Sequence, residues 1–211
     1  MLPNQVTRSL LGYGVIAGPF YLTVSLAQAL TRDGFALTRH SWSLLANGDL
    51  GWIQITNLVL TGLMTIAAAV GLHRALPGAP WVGRLVGVYG AGLVAAGALR
   101  ADPAQVFPAG TPDGPGTVTW HGAGHLIAGG IGFLSIIAAC LIAARYFTRH
   151  GSRPLGRYSA ASGIAFLAGF AGIASGNAVP ALTLAFAAAV GVIWTWLAIV
   201  SVHLYRTTPS C

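Results

Sequence analysis

The stretch YSAASGIAFLAGFAGIASGNAVPALTLAFAAAVGVIWTWLAIVSVHL, from Tyr158 to Leu204, contains no Asp, Glu, Lys or Arg. A helix needs about 20 apolar residues to cross the hydrocarbon layer of a bilayer. The stretch is therefore too long for one crossing and suits two. Asn177-Ala-Val-Pro180 supplies the break, because proline cannot donate a backbone hydrogen bond and disfavours helix in the residue before it. The predicted helices on either side are Tyr158–Gly176 and Ala181–Leu204.

Working back toward the N-terminus, four more apolar runs appear: Leu10–Leu30, Gly51–Leu72, Val82–Leu99 and Trp120–Ala144. The third is the shortest, and it spans comfortably if Arg84 reaches back to the interface along its aliphatic stem. The first is uncharged from Ser9 to Thr31, longer than the core of a cleaved signal peptide, and reads as a retained helix. The expected fold is all-α: one domain over residues 1–211, an integral membrane bundle of six transmembrane helices, with five crossings as the alternative. Composition agrees, since 55% of the 211 residues are hydrophobic and 7% are charged, far below the ~25% charged of soluble domains.

The net charge of +7 comes from eleven Arg and no Lys, against four Asp and no Glu. The arginines stand at the ends of apolar runs, which marks membrane anchoring and argues against a nucleic-acid partner. With a cytoplasmic N-terminus, the inner segments hold Arg8, Arg74, Arg84, Arg145, Arg149, Arg153, Arg157 and Arg206. The outer loops hold Arg32, Arg39 and Arg100, with all four acids, Asp33, Asp49, Asp102 and Asp113. This bias in short loops places both termini in the cytoplasm. Trp52, Trp81 and Trp120 stand at helix starts, as interfacial anchors do. Arg without Lys amid abundant Ala and Gly points to a GC-rich bacterial genome. Cys140 lies in an apolar run and Cys211 is the last residue, so no disulfide framework is expected.

Gly14/Gly18, Gly83/Gly87 and Gly172/Gly176 form small-residue faces at i,i+4, read first as packing within the bundle. Gly18-Pro19 is expected to kink the first helix. Ser41-Trp-Ser-Leu-Leu-Ala-Asn-Gly48 reads as a short interfacial helix with a serine cap and an Asn-Gly stop. No ionisable Asp, Glu, Lys or Arg falls at mid-helix, which counts against an ion-coupled transporter.

The remaining polar residues collect on the outer side. His121 and His125 are four residues apart and face the same way. Gln54, Asn57, Thr61 and Thr65 share one face of the second helix. Arg100, Asp102 and His40 reach the same level. Two His at this spacing can ligate a divalent metal such as zinc, with His40 or Asp102 as a third ligand and a bound water as nucleophile. A metal-free His–Asp pair acting as general base, with Arg100 holding a phosphate or carboxylate, is the alternative. The bland readings are interhelical hydrogen bonds for the Gln54–Thr65 stripe and an interfacial ion pair for Arg100 and Asp102. The candidate catalytic residues are thus His121, His125, Asp102 and Arg100, and the candidate pocket residues His40, Ser41, Gln54 and Asn57.

The string from His40 to Trp52, Asn57 and Gly62, Arg100-Ala-Asp-Pro103, Phe107-Pro108 and His121-Gly-Ala-Gly-His125 together resemble the bacterial membrane family catalogued as domain of unknown function 998. The resemblance covers nearly the whole chain. It implies a multi-helix bundle in the bacterial inner membrane with no established activity, and its polar marks fall on Ser41, Asp102, His121 and His125. More remotely, His-x-x-x-His with a separate Asp and Ser is similar to the ceramidase-like membrane hydrolases, which have seven helices and another motif order. Three functions stay open: an enzyme acting on a lipid or isoprenoid at the outer leaflet, a carrier of lipid or small hydrophobes, and a scaffold or partner subunit. Membrane lipids are the expected partners in each.

Overall fold

The computed structural model describes residues 3–177 and 179–209. Among them are six long helices: α1 (Pro3–Thr31), α2 (Gly51–Ala75), α3 (Pro80–Ala98), α4 (Trp120–Arg149), α5 (Arg153–Ala174) and α6 (Pro180–Thr207). The cores match the six apolar runs; most ends extend beyond them, while α3 stops at Ala98 and α5 at Ala174, short of the expected Leu99 and Gly176. Pro80, Pro154 and Pro180 open three helices at positions where a missing N–H costs nothing. Pro19 lies inside α1. Ala178, within the expected break, and Cys211 lie outside the described residues.

Each helix packs antiparallel against the next, and α6 returns to pack on α1, so the six form a closed ring. The two long loops, 32–50 and 99–119, share one end with the 175–179 turn; this is the loop end. Both chain ends share the other with the 76–79 and 150–152 turns; this is the terminal end. Five helices, all except α5, are long and apolar enough to cross a membrane. α5 falls short because it begins with Arg153 and Arg157 and is rich in Gly, Ala and Ser. The ring presents apolar side chains outward, such as Leu126, Ile127, Ile131 and Ile164, as a surface solvated by acyl chains requires. The chain is a multi-pass membrane protein.

Lipid offers no hydrophobic push between helices, so close packing and internal hydrogen bonds must hold them. The α2/α3 crossing shows the first. A Cβ on Gly62 would stand 2.7 Å from the Gly90 carbonyl oxygen, and one on Gly90 would stand 2.8 Å from that of Gly62. Gly83 likewise lies against the His73 and Ala69 backbone, while Gly14 and Gly18 receive Ser201 and Trp194 of α6. Gly172 contacts Leu182. The Gly14/Gly18 and Gly83/Gly87 faces are spent inside one chain, whereas Gly176 lies beyond the end of α5 at φ +74° with nothing within 4 Å of an added Cβ, so the expected Gly172/Gly176 face does not form. At the terminal end the core is closed by Leu11, Leu72, Leu76, Val86, Ile136 and Leu197, all at 0% exposure.

The α1/α2 seam shows the second device. Gln28 Nε2 donates to Gln54 Oε1 at 2.8 Å, and Asn57 Nδ2 donates to the Tyr21 carbonyl at 3.2 Å and to Ser25 Oγ at 3.1 Å. Thr61 Oγ1 donates to Asn57 Oδ1 and Thr65 Oγ1 to the Thr61 carbonyl. On α6, Trp196 Nε1 donates to Ser159 Oγ at 3.0 Å.

The Gly62/Gly90 contact carries a prediction. Gly62→Ala should destabilise the chain by roughly 1–3 kcal/mol, the cost of overpacking a tight contact. Gly12→Ala, where a Cβ meets nothing within 4 Å, should be neutral. Thermal unfolding in detergent measures both, and equal melting temperatures would refute the close-contact account.

Candidate functional site

A helix end leaves its last carbonyls without intrahelical donors. At the end of α3 the donors come from α4. His125 Nδ1 lies 2.9 Å from the Ala96 carbonyl and 3.0 Å from that of Leu99; His121 Nδ1 lies 3.3 Å from that of Arg100. A carbonyl can only accept, so both rings carry their hydrogen on Nδ1. The i,i+4 pair is a double staple from the start of α4 onto the end of α3. On each ring this leaves Nε2 as the nitrogen available to something else, and neither has a hydrogen-bond partner among the described residues.

Asp102 fastens the loop before α4. Thr119 donates its amide to Asp102 Oδ2 at 2.7 Å and its hydroxyl to Oδ1 at 2.6 Å, while the same hydroxyl accepts from the Gly122 amide as the α4 N-cap. His121 Nδ1 also lies 3.0 Å from that hydroxyl and 3.6 Å from Oδ1. Gly122 is small because a Cβ there would stand 1.9 Å from Oδ2. A carboxylate at a helix N-terminus also meets the positive end of the helix dipole. Burial alone would push the Asp102 carboxyl up; the Thr119 bonds and the nearby His121 and His125 outweigh it and hold it below the ordinary carboxylate value. Such a group is a weak base and a good cap. Arg100 is exposed, and Asp102 pairs with His121 in its place.

The 32–50 loop folds over the loop end. Its expected interfacial helix is a buried 3-10 turn, Trp42–Ala46, with Trp42, Leu44, Leu45 and Ala46 inside. Ser41 makes no capping bond; its hydroxyl lies 3.0 Å from that of Ser43. Asn47 and Gly48 end the turn, Gly48 at φ +72°. Arg32 donates to the Leu45 and Asn47 carbonyls at 2.5 and 2.6 Å and covers the Phe107 ring. His40 accepts the Ala36 amide on Nδ1 at 2.9 Å and donates Nε2–H to the Gln105 carbonyl at 2.8 Å, which leaves neither nitrogen free. That carbonyl belongs to Gln105, one of two consecutive non-glycine residues at positive φ. Arg39 pairs with Asp113 across the two long loops.

Beneath this cover lies a cavity of about 250 Å³. Its walls are apolar, from Leu58, Leu93, Phe133, Phe170, Phe186 and Val190; polar groups from His40, Ser41, Ser43 and His125 border it. Of the expected site residues the structure brings His40, Ser41 and His125 to one space. It places Gln54 and Asn57 in the α1/α2 seam, and Asp102, His121 and Arg100 outside the lining. Among the described residues no three His, Cys, Asp or Glu side chains are grouped to hold a metal ion, so the zinc reading gains no third ligand. Tyr89 and the Phe133 cluster went unmarked in the sequence, because apolar residues inside a span give no signal of which face they occupy; Trp42, in the short loop helix, gave none that it turns inward.

A family model described as "Protein of unknown function (DUF998)" matches residues 15–203. No curated protein and no solved structure matches the chain.

The Asp102 cap has a pH signature. Its carboxyl is held below the unfolded value of ~3.9, so its stabilisation is full above that value and is lost as pH falls through the lowered one. Asp102→Asn should cost about 1–3 kcal/mol at neutral pH, and the gap to the parent chain should close on acidification. Melting temperatures across a pH series test this. A gap that persists in acid would show that the charge plays no part.

Proposed function

Since this chain belongs to the DUF998 family, whose description assigns no activity, we propose from its cavity that it binds a small, single-chain, lipid-like molecule within the membrane. The observation that carries this reading is the lining: apolar walls with a few hydrogen-bonding groups, the usual make-up of a ligand site. At about 250 Å³ the cavity lies just below the ~300–1,000 Å³ of pockets for drug-sized ligands, a size that suits one short chain.

Binding has more support than catalysis. Of the four expected catalytic residues only His125 borders the cavity, and no Ser–His hydrogen bond joins it to Ser41 or Ser43 among the described residues. Passage through the ring has less support as well, because the terminal half is filled by fully buried aliphatic side chains. We further place the loop end on the outer face, with six crossings and both termini in the cytoplasm of a bacterial cell. The arginine bias supports this orientation, and the exposure of Trp52 and Trp120 at the loop end and Trp81 at the other suits the two interfaces between which the helices run.

A photoreactive dodecyl methyl ether added to the purified chain should label cavity peptides. Ala187→Trp, which fills the space from α6, should lower that labelling severalfold with little change in thermal unfolding. Absence of cavity labelling in the parent chain would end the reading. For orientation, a cysteine at Asp113 should react with an impermeant maleimide on intact cells, and one at Gly151 only after permeabilisation. The reverse pattern would invert the topology.

A further inference from the structure

Leu126 borders the cavity and is also 67% exposed on the outside of the ring. A side chain facing both spaces marks a thin wall. Gly129 and Gly130 follow it on α4; both border the cavity, and a Cβ on either would meet nothing within 4 Å. Facing them, α5 contributes Ile173 and the exposed Ala174. The two helices leave their turn in close contact, with Gly156 against Ala144 and Thr148 and Gly163 against Ile137 and Cys140. Phe133 still reaches Phe166 and Phe170 at 5.2 Å. Beyond that bridge, toward the loop end, the α4 side of the wall has glycines where side chains would close it.

The polar fittings narrow the occupant. Among the described residues no Asp, Glu, Lys or Arg lines the cavity, so a charged head group would be buried there without a counter-charge, at high cost. His125 has spent Nδ1 on carbonyls and offers Nε2 as an acceptor. Trp42, 9% exposed and also in the lining, has an indole N–H with no partner among the described residues. The His125 acceptor and the Trp42 donor, with the Ser41 and Ser43 hydroxyls in the same lining, suit a group that both donates and accepts, which is the property of a hydroxyl.

We infer that the cavity takes a single-chain lipid with an uncharged hydroxyl head, such as a long-chain alcohol, entering sideways from the bilayer between α4 and α5 past Gly129 and Gly130 and donating its hydroxyl to His125 Nε2. The inference rests on the proposed reading that the cavity holds a lipid-like molecule. Three variants of the full chain test it in proteoliposomes, with photoreactive dodecanol and its methyl ether as probes. In the parent chain the alcohol should label cavity peptides about five- to tenfold more than the ether, the order a hydrogen bond in a dry site supplies. His125→Asn keeps a donor for the Ala96 and Leu99 carbonyls and lacks Nε2; it should erase the alcohol's advantage and leave ether labelling unchanged. Gly130→Trp should cut labelling by both probes at least fivefold, whereas Gly191→Trp on α6, where space is also open, should not. An alcohol advantage that survives His125→Asn overturns hydroxyl recognition, and full labelling in Gly130→Trp overturns the lateral entry. Both results leave apolar binding standing; only loss of labelling by both probes in the parent chain removes that.

Discussion

An unpaired backbone carbonyl in a membrane has no water to turn to, and leaving it bare costs several kcal/mol. The end of α3 is where this constraint bears hardest on the chain, because the helix stops at Ala98 and a long loop follows. The carbonyls of Ala96, Leu99 and Arg100 are taken up by His125 and His121 from the neighbouring helix. That exchange fixes how α4 lies against α3. It also fixes the tautomer of both rings, and so leaves Nε2 of His125 without a protein partner beside an apolar space. The His125 hydrogen that helps end one helix thereby prepares the polar corner of the cavity.

The rest of the ring follows the same economy of polar groups. Gln54 and Asn57 satisfy one another, Ser25, Gln28 and the Tyr21 carbonyl across the α1/α2 seam. Where no polar group is available, helices approach until backbones touch, as at Gly62 and Gly90. The polar seam holds α1 and α2 near the loop end, the glycine contact holds α2 and α3 at mid-height, and buried aliphatic side chains fill the terminal end. Toward the loop end α4 and α5 part, and the aromatic side chains of Phe133, Phe170 and Phe186 fill the gap only in part.

The loop cover has its own logic. Arg32 and His40 both act on main-chain atoms, so their side chains stitch two otherwise irregular loops together over the cavity. Phe107 lies at the centre of this stitching, 1% exposed and in ring contact with Phe35 and His40. His40 therefore borders the cavity as a brace. Ser41 and Ser43, on either side of Trp42, have their hydroxyls 3.0 Å apart in the same lining.

From sequence alone, the number, order and apolar cores of the helices could be read, because a run of that length is what crossing the hydrocarbon requires; their limits, such as Pro3 for α1 and Arg149 for α4, lay outside the apolar runs. The family could be read too, from the spacing of Arg100, Asp102, His121 and His125 and the string from His40 to Trp52. The polar residues themselves were visible, since any polar group in an apolar run stands out. Their partners were not. Whether Asn57 faces a pocket or a neighbouring helix depends on a rotation of α2 that no single run encodes, and Asp102 became a helix cap only because loop 99–119 folds back onto Thr119. Ring closure by α1 and α6, the glycine gap beside Leu126 and the cavity's aromatic walls were decided by the tertiary structure alone, because contacts between distant segments, and the empty space between them, exist only once the helices are packed.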